Sequence, residues 1–146
     1  MSDKLSTYMS SPKVSIIIAT CNCSVELEQT IISFIEQDYE NKELIVVDCE
    51  STDETSSILK KYALSIAQML SEKDTGISDA FNKGIKLATG DYINFQGSGD
   101  LFNSNNVLAK MMKNIDKDKD LLLCGRVKRV ANDPEQSCLW VSEYIK

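Results

Sequence analysis

Four short stretches of the chain carry side chains able to bind or transfer charged groups. Asp48 ends an apolar run, where a carboxylate can accept hydrogen bonds from a base imide N–H or a ribose hydroxyl. On position alone it could equally be a capping or loop carboxylate. Asp100 closes the loop Gly97-Ser98-Gly99-Asp100. The two glycines permit unusual backbone angles and remove side chains that would crowd a ligand. A carboxylate beside such a loop can hold Mg²⁺ or Mn²⁺ against diphosphate oxygens. The plain alternative is a turn and a helix capped by Asp100 or Ser104. Glu72-Lys73-Asp74-x-Gly76 precedes a helix. There Lys73 can meet a phosphate and Asp74 a ribose or sugar hydroxyl, with the helix start adding partial positive charge. The plain alternative is a solvated charge run. Thr20 and Asn22 follow the first apolar run. Further on, Gly84 is expected to permit close packing, and Lys83 to be solvated or paired at the surface.

Composition removes several other chemistries. There is no His, so no Ser-His-Asp arrangement can form. Neither G-x-G-x-x-G nor the phosphate-loop pattern follows the first apolar run. The 16 Lys and Arg against 22 Asp and Glu give a net charge of -6, which argues against nucleic acid as a partner. An acidic protein can still hold a phosphorylated ligand through a divalent metal. The 5 cysteines are an odd number in a chain without a secretory signal, and read as reduced thiols of a cytosolic protein. Cys21-x-Cys23 with Cys49 lacks the His or second Cys-x-x-Cys pair that a zinc site calls for. No apolar run approaches ~20 residues, so no segment reads as membrane-spanning.

These candidates need elements to position them. Residues 1–11 read as a polar, flexible N-terminal arm, and 12–146 as one domain. Residues 14–20 (VSIIIAT) are β-branched and almost continuously apolar, as in a strand buried on both faces. Ser24 can cap a helix in which Leu27, Ile31, Phe34 and Ile35 recur at helical spacing. Residues 43–47 (ELIVV) form a second strand, ending at Asp48. Ser51-Thr52-Asp53-Glu54 opens a helix that runs through Ile58, Leu59 and Tyr62. A weaker strand is expected over 66–70, a helix over 76–88 ended by Gly90, and a strand over 92–95. A helix over 107–115 and strands over 121–124 and 126–130 follow. This alternation predicts an α/β fold: a Rossmann-like, mostly parallel sheet flanked by helices on both faces. Ligands of such sheets bind beyond the carboxyl ends of the strands, where all four stretches fall.

Taken together, the segments resemble glycosyltransferase family 2, whose catalytic domain has the glycosyltransferase A fold. "PKVSIIIATCN" is similar to the family's first strand and nucleotide loop. "ELIVVDCESTDET" resembles its second strand with the Asp and the Ser-Thr-Asp turn. "SEKDTGISDAFNKGIKLATGDYINFQGSGD" resembles a bacterial branch that builds surface polysaccharides. The match runs over about residues 12 to 110, in family order.

The resemblance implies inverting transfer from a nucleotide-diphosphate sugar, often a UDP-sugar, to a saccharide or lipid-linked acceptor. Thr20 and Asp48 would contact the nucleoside, and Asn22 would shape its loop. Asp74 and Lys73 would line the nucleotide-sugar site with Gly97 and Ser98. Asp100 would be the carboxylate for Mg²⁺ or Mn²⁺ in a variant of the D-x-D motif. A cytoplasmic setting is expected, with peripheral association at the inner membrane face and a homodimer among the arrangements it allows. Ala19, Cys21, Cys49 and Glu50 depart from the family pattern, and Gly97 and Gly99 leave Asp100 as the loop's only carboxylate. Nothing after Lys119 matches the acceptor-binding half, so the general base is expected beyond the chain end; no motif places Glu143. The alternative is therefore a truncated module that binds the nucleotide-sugar without transferring it. A nucleotidyltransferase or flavodoxin-like regulator is a third reading. "TCNCS" is not the glycine- and arginine-rich loop a nucleotidyltransferase carries.

Overall fold

The computed structural model describes residues 11–113, 115, 127–128 and 139–140. The chain divides into two compact units, residues 1–109 and 110–146.

The first unit is built on a parallel sheet. Its strands are β1 (Val14–Thr20), β2 (Lys42–Asp48), β3 (Gln68–Ser71) and β4 (Tyr92–Gly97), in the order β3-β2-β1-β4. β1 is central and pairs on both sides. Ile16, Ile17 and Ile18 are fully buried, as are Leu44, Ile45, Val46 and Val47 of β2. Each such side chain contributes about 1.5–3 kcal/mol relative to exposure. Consecutive burial means that both faces of the sheet are covered.

Among the described residues three helices join these strands, α1 (Ser24–Ile35), α2 (Thr55–Lys61) and α3 (Ile77–Leu87), and α4 (Val107–Met112) follows β4. The connections β1-α1-β2 and β2-α2-β3 step one way along the sheet, and β3-α3-β4 steps back across it. Right-handed crossovers then put α1 and α2 on one face and α3 on the other. Contacts agree with this: α1 packs against α2, and α3 against β1 and β2. Gly84 is what lets α3 lie so close, since a Cβ there would sit 2.3 Å from Ile17 Cγ2.

The base of the sheet is tied by a buried charge. Glu43 accepts hydrogen bonds from Ser15 Oγ (2.6 Å) and from Thr89 N (2.7 Å) and Oγ1 (2.8 Å), and pairs with Lys13 Nζ at 2.6 Å. Burial pushes its pKa up, but the Lys13, Ser15 and Thr89 donors outweigh it and hold the carboxyl down at about 2.

Several expectations shift. Strand β3 starts at Gln68 because a 3-10 turn, Ala63–Ser65, occupies the residues before it. β4 runs on to Gly97, and α4 ends at Met112. Ser24 does not cap α1: the N-cap residue is Cys23, without a side-chain bond. The carboxylate of Asp53 instead accepts from Ser24 N at 3.1 Å. Gly90 lies beyond the end of α3, and its bare Cα lets it press on β1, where a Cβ would come within 2.6 Å of Ser15 Oγ. The strand expected over 121–124 lies outside the described residues. Within 126–130, β5 (Val127–Lys128) pairs antiparallel with β6 (Leu139–Trp140) in the second unit. Among the described residues no helix is long and apolar enough to cross a membrane.

Candidate functional site

Register places the site. Thr20 stands opposite Asp48, and Ala19 opposite both Val47 and Gly97. The tips of β2, β1 and β4 therefore end within one residue of each other, and the loops after them share the carboxyl edge of the sheet. With strands spaced at ~4.8 Å, the ends of β2 and β4 lie about 10 Å apart.

Asp48 is only 4% exposed. Its Oδ2 accepts from Ser71 Oγ (2.7 Å) and Ser51 N (3.1 Å), while Oδ1 accepts from Ser51 Oγ at 2.5 Å. The buried carboxylate thus organises the loop after β2 and ties it to the end of β3. Asn22 does the same for the loop after β1. Its backbone is left-handed, φ 49, a conformation Asn tolerates better than most residues. Its N–H donates to Ser51 Oγ at 2.8 Å, and its Oδ1 accepts from Thr52 N at 2.8 Å. Asp53 closes the join by accepting from Thr55 N at 3.0 Å as well as from Ser24 N. Hydrogen bonds from Thr55 chiefly, and from Ser24, hold its carboxyl below the usual range.

The same two loops are linked covalently, which corrects the reading of five reduced thiols. Cys21 and Cys49 form a disulfide with Cα atoms 5.2 Å apart. The cause is register: each follows directly on the paired residues Thr20 and Asp48, within bridging distance. Cys23 keeps a free thiol. Cys21 and Cys49 are accordingly no thiolate ligands, and no metal-ligand group of three or more His, Cys, Asp or Glu exists among the described residues.

The stretch after β3 is held by a lysine expected to be solvated or paired at the surface, and it is paired. Lys83 of α3 donates to Lys73 O at 2.7 Å and pairs with Glu72 (3.0 Å) and Asp79 (3.4 Å). Glu72 in the first place, then Asp79, raises its pKa. Asp74 accepts from Gly76 N at 3.0 Å, and Gly76, at φ 127, caps α3. The Lys73 side chain is exposed.

At the end of β4, Asp100 is exposed and folds back so that Oδ2 accepts from Gly97 N at 2.8 Å. The left-handed residue of this loop is Gly99, at φ 98. Gly97 does not share that geometry, and a Cβ there would meet only Asp100 Oδ2, at an ordinary contact distance of 3.5 Å. Ser98 N donates to Ala19 O at 3.2 Å. The hydroxyls of Thr20 and Ser98 are buried without a partner. Both belong to adjoining strand ends, so the edge keeps polar capacity for something else.

The fit to a divalent cation can be judged from the donor set. Asp100 supplies oxygen, the donor Mg²⁺ and Mn²⁺ prefer. Its Oδ1 has no hydrogen bond among the described residues, while Oδ2 is steadied by Gly97 N. One carboxylate is too little for a preformed cage. It suffices for an ion that arrives with phosphate oxygens and keeps its waters.

Sequence reading missed Ser51, Ser71 and Asp53 as loop organisers, and Thr30, Ser33 and Gln37 altogether. Polar side chains on the inward side of α1, at positions 30 and 33, and at 37 just past its end, were the available signal.

Comparison with known proteins agrees with the geometry. The family model "Glycosyl transferase family 2" matches residues 15–138. A PGL/p-HBAD biosynthesis glycosyltransferase of Mycobacterium bovis is 36% identical over 106 residues, covering 70% of this chain and 41% of that protein. The chain thus spans about two fifths of that relative's length. The mannosyltransferase of Pyrobaculum calidifontis in complex with GDP-Man and Mn²⁺ superposes with TM-score 0.66 at 28% identity, over 72% of this chain and 32% of that one. S. aureus TarS 1-349 in complex with UDP-GlcNAc gives 0.62 at 27% identity, over 67% and 29%. The parallel sheet flanked by helices is that of the glycosyltransferase A fold. The chain belongs to glycosyl transferase family 2.

Proposed function

We propose that this chain is the donor-binding part of an inverting glycosyltransferase, and that it holds a nucleotide-diphosphate sugar, foremost a UDP-sugar, on the carboxyl edge of its sheet. One observation carries the reading: Thr20, Asp48 and Gly97 end neighbouring strands within one residue of the same level, with exposed Asp100 on the loop just beyond. Thr20, Asn22 and the loop that Asp48 fixes take the nucleoside. Asp74 and Lys73 approach the ribose and phosphates, and the Gly97-Ser98 backbone lies under the diphosphate. Asp100 would hold Mg²⁺ or Mn²⁺, which when bound offsets charge on the departing diphosphate. The acceptor would be a saccharide or lipid-linked sugar of a bacterial polysaccharide. Its hydroxyl needs a carboxylate within hydrogen-bond reach to take its proton.

Calorimetry with UDP and MnCl₂, beside a transfer or donor-hydrolysis assay, tests this. Binding that strengthens with Mn²⁺ and loses that gain in Asp100→Ala is expected. Equal Mn²⁺ dependence in wild type and variant removes Asp100 from the site.

A further inference from the structure

We propose that a buried polar stripe, formed by Thr30 and Ser33 of α1 and by Gln37 just past its end, is the positioning device for Asp100. The proposal rests on the donor-site reading above.

A helix facing a core normally buries apolar side chains. Leu27, Ile31 and Phe34 do so, yet Thr30, Ser33 and Gln37 are just as deeply buried, at 0%, 8% and 4% exposure. Burying polar groups is costly unless each is hydrogen-bonded. Each is, and its partner is backbone of the segment that carries Asp100. Thr30 Oγ1 accepts from Gly99 N at 2.8 Å and donates to Glu26 O at 3.0 Å. Ser33 Oγ accepts from Phe102 N at 2.7 Å. Gln37 donates to Ser104 O at 2.7 Å and accepts from Leu108 N at 3.1 Å. The stripe runs along α1 and past its end as the segment runs beside it, 30 to 37 against 99 to 108, so the loop is gripped along its length. Asp38 N adds a bond to Asn105 O at 2.7 Å.

The grip nearest the chemistry is at Thr30. Gly99 directly precedes Asp100 and holds its left-handed turn with no side chain, Glu26 Cβ lying 3.7 Å from where one would begin. Thr30 Oγ1 accepts the N–H of that turn, and Gly97 N donates to the Asp100 carboxylate. The donor Thr30 lacks is thus supplied by the loop, and the loop's turn is supplied with its acceptor. Thr30, Ser33 and Gln37 touch no bound group; they act through Asp100.

The test compares wild type, Thr30→Val and Thr30→Ser. UDP and GDP affinities are measured with MnCl₂ and with EDTA, and backbone amide exchange is followed on the nucleotide-free chain. Thr30→Val keeps the shape and removes the acceptor. It is expected to lose about tenfold in the Mn²⁺-dependent gain, with EDTA affinity unchanged, and to speed exchange at Gly99 and Asp100 but not in β1 or β2. Thr30→Ser is expected to restore both. A merely structural role would lower melting temperature and weaken binding alike with and without metal. Full retention of the Mn²⁺ gain in Thr30→Val, or unchanged exchange at Gly99, overturns the proposal. A wild-type chain that binds neither nucleotide at any Mn²⁺ concentration sinks the donor-site reading, and with it the purpose assigned to the stripe. An unresponsive exchange arm alone sinks only the stripe.

Discussion

Asn22 and Thr52 are 30 residues apart in sequence, and the Asn22 side-chain oxygen accepts the Thr52 backbone N–H at 2.8 Å. Together with the bond from Asn22 N to Ser51 Oγ, this clasps the loop after β1 to the loop after β2. Asn22→Ala removes the acceptor and puts an alanine at φ 49, a conformation Asn tolerates better than most residues. Asn22→Gly removes the same acceptor and suits that φ. Both are expected to weaken nucleotide binding, and Ala to lower stability more than Gly. Calorimetry with thermal melts separates the two effects, and full affinity in Asn22→Gly would show that the clasp does not shape the pocket.

The Cys21–Cys49 disulfide closes a loop of 28 residues. Chain-entropy reasoning assigns such a crosslink up to about 3–4 kcal/mol. Reduction with dithiothreitol is expected to lower the melting temperature of the wild type and to leave Cys21→Ser unaffected. Identical melts with and without reductant would show that the bridge does not form in solution.

Glu43 gives the fold an acid limit. Its folded pKa is about 2, well under the ordinary value near 4.3. A depressed folded-state value means that the unfolded chain binds protons first as pH falls. The contribution of Glu43 is whole above about 4.3 and is lost as pH drops through about 2. Glu43→Gln is expected to be less stable at neutral pH and to show a flatter loss of stability across that window. Parallel pH–melting curves for the two proteins would contradict the assignment.

Gly84→Ala would bring its Cβ to 2.3 Å from Ile17 Cγ2 in the packed core. Overpacking of this kind costs about 1–3 kcal/mol. Adding Ile17→Ala should relieve part of it, so that the double variant is less harmed than the sum of the singles. Denaturant titration measures all three, and simple additivity would mean that the helix shifts freely.

Much of this was legible in the sequence because it is local. The run VSIIIAT gives β1 its observed limits, since a strand buried on both faces needs unbroken apolar side chains. Gly84 was readable as a packing glycine for the same reason. β3 was misplaced because it is an edge strand: Gln68 and Met69 are exposed, so its pattern is weak. The site was legible as strand tips and illegible as a network. Thr30 meets Gly99 across 69 residues, and Asp53 meets Ser24 across 29. Only the fold brings such partners together. Cys21 and Cys49 became neighbours through register, which the spacing of the cysteines does not encode.

That register has a further consequence. β1 is paired along its length on both sides, so the heights at which the β2 and β4 tips stop are set by main-chain ladders and not by the loops beyond them. Exchanging residues such as Glu50 or Ser98 leaves those mounting points where they were. Platform and fingers are separable, so the second can be varied without disturbing the first.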